Sequence, residues 1–501
     1  MNSSKHGVMM QFFEWYLPCD HSLWQRLIDG EAAALAGTGF TGLWLPPATK
    51  GAFGDQGVGY AVYDKYDLGE FDQKGSVPTK YGTKQQYVKA VAAAKKAGLD
   101  VYADIVLNHM IGADDYEELS ATEYAGNNRT LPVSGEETIK AWTVFNFPGR
   151  KGKYSDFIWD SSCFDGVDWD DSRKKGAVYL LKGHGWQSDV DTENGNYDYL
   201  MGADIDFDQQ KVIDELTTWG KWYVKTTGIT GFRLDAVKHI KADFYRDWLP
   251  TMREAMGKPD AFAVGEYWNP DVNALKNYLH EVNGTMSLFD VPLHMNFYHI
   301  SCDGAGSDLR KVFDGSLVQT DPTHSVPFVD NHDTQPGQAL SSFVGTWFKP
   351  HAYSLLLLRE EGYPCVFYGD YYGIPHDNIA PHKELIDTLL NIRHTKMTGA
   401  RHDYFYDAHG IGWTNEGGFA VVLSTKYDQQ VQMYVGTQYA GKVFVDALGN
   451  RPEEVTIAPD GNGTFFAKDG FTSVWVEKQG CQNLKTALIL PPAVGRRGVK
   501  I

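Results

Sequence analysis

Short apolar runs alternate with longer amphipathic stretches over the first part of the chain: 8–15 then 23–35, 42–46 then 84–97, then 101–108. An apolar run of four to eight residues predicts a buried strand, and apolar positions recurring every three to four residues predict a helix. Strand then helix, repeated, predicts a parallel sheet. After His109 the rhythm stops, and a stretch rich in Gly, Asp, Trp and Tyr follows, which predicts an inserted subdomain over 110–205. The rhythm resumes with a helix near 212–226, a strand ending at Asp235, a helix near 244–256 and a strand ending at Glu266. Further strands are expected at 286–291, 326–329 and 365–368, with a helix near 353–359. From about residue 400 the runs are short and alternating (419–424, 431–435, 442–445, 472–476), as in an antiparallel β domain.

Spacing decides between the two main parallel architectures. A barrel of eight βα units in about 250 residues allots about 31 residues to each unit. Asp235 and Glu266 are 31 positions apart and Glu266 and Asp333 are 67 apart, about two units, so the three acids fall at the ends of strands four, five and seven. In a closed barrel those ends converge on the face that carries the active site. An open doubly wound sheet would show a glycine-rich phosphate loop early, and no GxGxxG follows the first strand. The expected fold is therefore an α/β chain: a (β/α)8 TIM barrel over 1–109 and 206–398, a subdomain inserted after strand 3 over 110–205, and a C-terminal antiparallel β-sandwich over 399–480. The tail, 481–501, fits no pattern.

Composition narrows the partners. With 43% hydrophobic and 22% charged residues the chain reads as a soluble globular protein, and no apolar run reaches the roughly 18 residues of a membrane span. A net charge of −18 disfavours nucleic acid and anionic membranes, and leaves a neutral ligand or polymer compatible. Cys19, Cys163, Cys302, Cys365 and Cys481 are scattered, odd in number and without CxxC spacing, so neither a zinc site nor a disulfide framework is expected. The N-terminal residues lack the apolar core of a signal peptide, which favours a cytoplasmic protein; a mature secreted form with an added methionine would look the same. Sequons at Asn128, Asn283 and Asn462 would matter only after secretion. A monomer is expected.

The chemistry follows from the three acids. Two carboxylates about 5 Å apart across a glycosidic bond hydrolyse it, one as nucleophile and one as proton donor. The nucleophile must stay ionised, and Arg233, two residues before Asp235 on one strand face, supplies a cation. The proton donor must hold its proton near neutrality, a task for Glu266 beside other acids and the following Tyr267 and Trp268. Asp333, with His109 and His332 as hydrogen-bonding neighbours, can bind sugar hydroxyls and help to distort the ring.

Four segments carry a resemblance: Asp104-Ile105-Val106-Leu107-Asn108-His109, Gly231-Phe232-Arg233-Leu234-Asp235-Ala236-Val237-Lys238-His239, Gly265-Glu266-Tyr267-Trp268 and Phe328-Val329-Asp330-Asn331-His332-Asp333. Together they resemble the four signature regions of the α-amylase family, glycoside hydrolase family 13. The segments 7–15, 58–64 and 195–201 are similar to bacterial liquefying α-amylases and their intracellular fungal relatives, and the likeness runs from about residue 6 to 478. It implies Asp235 as nucleophile, Glu266 as general acid/base and Asp333 as transition-state stabiliser. It also implies Arg233, His109, His332 and Tyr60 around the sugar on the scissile side, with Lys238, His239 and Trp268 on the leaving-group side.

Asn108, Asp198 and Asp204 are hard oxygen ligands of the kind calcium prefers. An EF-hand is excluded, because Gln209 stands where its loop needs glycine and Ile205 and Phe207 are apolar. The resemblance adds the backbone carbonyl of His239 and implies one structural Ca2+ pinning barrel to insertion. For a second metal, Asp165 and Asp206 match the family, but Gln187 stands where the relatives carry aspartate. A further calcium site of those relatives lacks its aspartate around Ala408-His409-Gly410. Of the many aromatics most are expected in the core, Trp44, Trp219 and Trp222 among them. Tyr60, Trp15 and Trp268 are placed in the cleft, with Trp159, Trp169 and Trp186 as donor-side candidates. The expected activity is retaining endo-hydrolysis of α-1,4 bonds in starch, glycogen or malto-oligosaccharides. A maltogenic or transglycosylating enzyme on the same scaffold is the first alternative, and an inactive glycan-binding scaffold the second.

Overall fold

The computed structural model describes residues 6–479; the 481–501 tail lies outside the described residues. Eight short parallel strands form the central sheet: β1 (Met9–Gln11), β2 (Gly42–Leu45), β3 (Asp100–Ile105), β4 (Gly231–Leu234), β5 (Phe262–Gly265), β6 (Ser287–Phe289), β7 (Ser325–Val326) and β8 (Cys365–Phe367). Each strand pairs in parallel with the next, β8 returns to β1, and a parallel bridge from Phe328 to Cys365 closes the ring between β7 and β8. The strands are buried on both faces, Leu43, Val101, Leu234, Val264 and Val366 being 0% exposed, which is why they read as continuous apolar runs. This is a (β/α)8 barrel.

The helices lie outside it, and their ends carry the expected chemistry. Lys84–Lys96 opens on a capping box between Thr83 and Gln86. Gln210–Thr227 and Ala242–Met256 end on left-handed glycines, Gly228 and Gly257. The expected 23–35 helix forms in three pieces, because Gly30 at φ 126° interrupts it with a π-helical turn over Leu27–Glu31. The expected 353–359 helix lies earlier, at Lys349–Leu357.

Between β3 and Gln210–Thr227 the chain builds a six-stranded antiparallel sheet that the sequence pattern did not announce. Its longest strands, Asp115–Ala125 and Asn128–Val144, form a hairpin. Its innermost strand, Ala203–Ile205, pairs with His109–Met110 immediately after the barrel exit. At the C-terminal end a six-stranded antiparallel sheet faces a two-stranded one, Gln429–Tyr434 with Asn462–Ala467. Their shared core includes Val422, Met433, Phe444, Phe465 and Trp475. Arg359 to Asp403 at 2.8 Å, Trp413 Nε1 to the Leu358 carbonyl and His351 Nε2 to the Ser424 carbonyl join this β unit to the barrel.

Candidate active site

Register places the acids. Arg233 on β4 is level with Asp104 on β3 and Val264 on β5, so Asp235 and Glu266, each two residues further along its own chain segment, leave the sheet side by side. The Asp235 amide donates to the Ile105 carbonyl (3.0 Å) and the Glu266 amide to the Leu234 carbonyl (2.9 Å), which fixes both backbones to the barrel rim. Ala236 then takes a left-handed conformation, φ 48°, unusual for a residue with a Cβ, and turns Lys238 and His239 over the rim.

Arg233 is fully buried at the centre. Its Nη1 donates to Asp104 Oδ1 (2.9 Å) and to Asp235 Oδ1 (2.5 Å), and its Nη2 lies 2.9 Å from Glu266 Oε2. Burial pushes the Asp235 carboxyl up to about 7, with Arg233 pulling it down and Glu266 pushing it further up. Burial, and next the charge of Glu266, raise Asp333 well above the carboxylate range. One guanidinium cannot offset the burial of these acids, and Asp104, Asp235 and Asp333 all stay above the usual carboxylate range. Glu266 Oε1 is buried without a partner among the described residues, which leaves that atom to a ligand.

A wall of parallel rings stands beside the acids. Tyr60 lies 4.9 Å from His332 at an interplanar angle of 7°, and Trp15 lies 6.2 Å from Tyr60 at 4°. The Tyr60 hydroxyl donates to Asp104 Oδ2 at 2.7 Å. Gln11 Nε2 donates to His332 Nδ1 (2.9 Å), so the His332 proton sits on Nε2, 3.2 Å from Asp333 Oδ2. Burial holds His332 well below its usual pKa and His109 at about 4, so both rings are neutral. His109 donates from Nε2 to the Tyr60 carbonyl (2.9 Å), and its Nδ1 is buried without a protein partner.

On the other side Lys238 Nζ donates to the Trp268 carbonyl (3.0 Å) and Glu193 Oε2 (2.7 Å). His239 contacts the Tyr197 carbonyl through Nδ1 at 2.6 Å. Among the donor-side candidates Trp159 is core and Trp186 is half-buried against Tyr199, while Trp169 is 39% exposed. A cavity of about 710 Å³ opens at the opposite end of the strands, among Thr41, Tyr102, Phe262 and Tyr363, and contains none of these acids.

Sequence reasoning did not assign a role to Asp104, which receives bonds from Arg233, Tyr60 and the Trp44 indole at once. Its signal was a lone carboxylate within an apolar strand. Glu193 and Asp191 were also missed; Asp191 accepts the Tyr267 hydroxyl at 2.6 Å and holds the segment before Tyr197.

Asp165, Asp198 and Asp204, all buried, bring carboxylate oxygens within 4.8 Å of one another where the insertion meets the barrel. Asp165 Oδ1 and Asp204 Oδ2 have no partner among the described residues, and burial raises Asp165 and Asp204 well above the carboxylate range and Asp198 to about 7. Clustered, desolvated carboxylates with spare lone pairs fit a hard divalent cation. Asn108 joins them through its amide, 3.0 Å from Asp204 Oδ1. Asp165, expected at a second metal, thus sits with Asp198 and Asp204. Asp206 instead takes His184 (2.6 Å), Gln209 and the Asp208 amide as partners, and Gln187 places its amide nitrogen 3.2 Å from the Ile205 carbonyl and 3.5 Å from Asp165.

The family described as "Alpha amylase, catalytic domain" matches residues 33–421. The chain is 54% identical over 483 residues to the α-amylase of Geobacillus stearothermophilus, covering 95% of this chain and 87% of that protein. It is 50% identical over 487 residues to the glucan 1,4-alpha-maltohexaosidase of Bacillus sp. (strain 707), covering 95% and 93%. It is 41% identical over 491 residues to the cytoplasmic α-amylase of Escherichia coli, covering 94% and 99%. Among solved structures, the α-amylase of Malbranchea cinnamomea aligns at a TM-score of 0.60 over 97% of each chain at 17% identity, a likeness of fold. The chain belongs to the α-amylase family of glycoside hydrolases.

Proposed function

We propose that this protein hydrolyses internal α-1,4-glucosidic bonds of an α-glucan with retention of configuration, and that Asp235, Glu266 and Asp333 carry the reaction. The observation that carries this reading is Asp235 and Glu266 side by side just past the ends of β4 and β5, both in contact with Arg233. An Asp235 oxygen attacks the anomeric carbon while the Glu266 carboxyl protonates the departing glycosidic oxygen, leaving a glycosyl ester on Asp235. Glu266, now a carboxylate, takes a proton from water as that water attacks the same carbon, and both acids return to their starting states. Asp333 and His332 hold ring hydroxyls of the reacting sugar, and Tyr60 presents its ring face to it. Trp15 extends that wall, and Lys238, His239 and Trp268 meet the leaving chain.

The acidic cluster supports a structural Ca2+ held by Asp165, Asp198, Asp204 and Asn108, with the His239 carbonyl as a further ligand implied by the resemblance. Its chemistry there is charge neutralisation between barrel and insertion, with no bond to substrate. We divide the chain into a barrel body (1–109 and 206–398), the insertion (110–205) and the C-terminal β unit (399–480). A cytoplasmic location is supported by likeness to the cytoplasmic E. coli relative; fractionation of the native host would test it.

Glu266→Gln should lower kcat on maltodextrin by about 10²–10⁴-fold or more, the range that positioned proton transfer contributes, while oligosaccharide still binds. Residual hydrolysis within tenfold of the parent would reject Glu266 as proton donor. Product analysis on long maltodextrin separates hydrolysis from transglycosylation. A net rise in reducing ends is expected, and longer products without that rise would overturn the assignment.

A further inference from the structure

Lys349 lies outside the catalytic cluster and is completely buried, as are the two carboxylates that hold it, Asp330 and Asp370. Its ammonium contacts Asp330 Oδ2, donates to Asp370 Oδ1 at 2.7 Å and sits 3.8 Å from the Phe343 ring centre. Tyr353 completes the group by donating to Asp370 Oδ2 at 2.6 Å. A buried ion cluster is a poor source of stability, because desolvation of its charges offsets most of their attraction. Its contacts point to a different use.

From Asp330 a chain of hydrogen bonds runs to the third catalytic acid. Asp330 Oδ1 accepts the Thr334 hydroxyl (2.7 Å), whose oxygen in turn accepts the Asn331 amide (3.0 Å). Asn331 Oδ1 accepts the amides of Asp333 (2.8 Å) and Thr334 (2.9 Å). The Val344 amide, 3.2 Å from Asp330 Oδ2, ties the far side of the loop to the same carboxylate. The Asp330 carboxylate thus ties the Thr334 end of the 330–334 turn to Val344, and it is itself held by Lys349, the first residue of the helix Lys349–Leu357. Asp370 extends the anchor to the segment following β8.

We infer that Lys349, through Asp330 and Thr334, is a positioning residue for Asp333: it sets where the carboxylate meets the sugar without touching substrate. This rests on the role proposed above for Asp333. Loss of the anchor lets the turn relax, and a misplacement of about 1 Å in a positioned group costs up to about 10²-fold in rate.

The test is a pair of double-mutant cycles read as kcat and KM on a 4-nitrophenyl malto-oligosaccharide, with Tm measured alongside. Lys349→Met removes the anchor. Thr334→Val cuts the link while leaving all three buried charges in place, so it carries the test if Lys349→Met does not fold. In the parent background each change should lower kcat by about tenfold or more with KM within about twofold. In an Asp333→Asn background the same changes should alter kcat by less than about twofold, since the group they position is no longer functional. Full additivity with Asp333→Asn, or a lowered Tm with unchanged kcat, would overturn the positioning role. If Asp333→Asn alone left kcat near the parent value, the role of Asp333 itself would fall, and this inference with it.

Discussion

Arg233 faces Asp104, Asp235 and Glu266 at bonding distance, and Asp333 is raised by burial and then by the charges of the same acids. The sign of the pH response follows. Burial raises Asp235 to about 7, so its attacking form predominates above that pH and is lost as pH falls through it. In free enzyme, kcat/KM should therefore decline with unit slope below about pH 7, an apparent value that belongs to the cluster as a whole. A pH–rate profile flat down to pH 5 would contradict it. Exchanging Arg233 for Lys keeps the charge and loses the fork that serves two strands, and kcat should fall about 10²-fold or more; an active Arg233→Lys enzyme would show that charge alone suffices. At this scale the sequence displayed the acids and the arginine, since polar groups ending apolar runs stand out. Asp104 stayed hidden, because its partners Arg233, Tyr60 and Trp44 come from distant positions and meet only once strand order is set.

The barrel strands were legible because both their faces are buried, and the helices because only one is. The insertion was not. Along Asp115–Ala125 only Ala121 is buried, and along Asn128–Val144 burial alternates only at the end, on Ile139, Ala141 and Thr143, while Trp142 between them is exposed and blurs the pattern in sequence. Its hairpin also shifts register in three places. Its edge strand His109–Met110 follows shortly after barrel strand β3 and pairs with Ala203–Ile205, beside the three buried aspartates. Removing calcium should leave those carboxylates mutually repelling and lower Tm by several degrees, since a ligand at 100 times its Kd contributes about 2.7 kcal/mol. Asp204→Asn should remove most of that calcium-dependent shift. A melt indifferent to chelator, read by calorimetry, would argue that the cluster works without an ion.

Across the whole molecule, acids separated by 31 and 67 positions become neighbours because each βα unit returns the chain to the same barrel face. Strand spacing alone brings the acids together, whereas the ring wall and the pairing of Lys238 with Glu193 depend on loops whose paths no periodicity encodes. The same closure brings β8 beside β1 and lets the Asp370–Lys349–Asp330 group sit under the Asp333 turn. The central claim is covalent catalysis by Asp235 with proton transfer by Glu266. It is tested most directly by trapping the enzyme with a slow fluorinated maltosyl fluoride and mapping the adduct by peptide mass spectrometry. Fluoride should leave and one fluoromaltosyl group should remain in ester linkage to Asp235, slowly discharged by water to a product of retained configuration. An adduct on another carboxylate, or inverted product with no adduct, would contradict it.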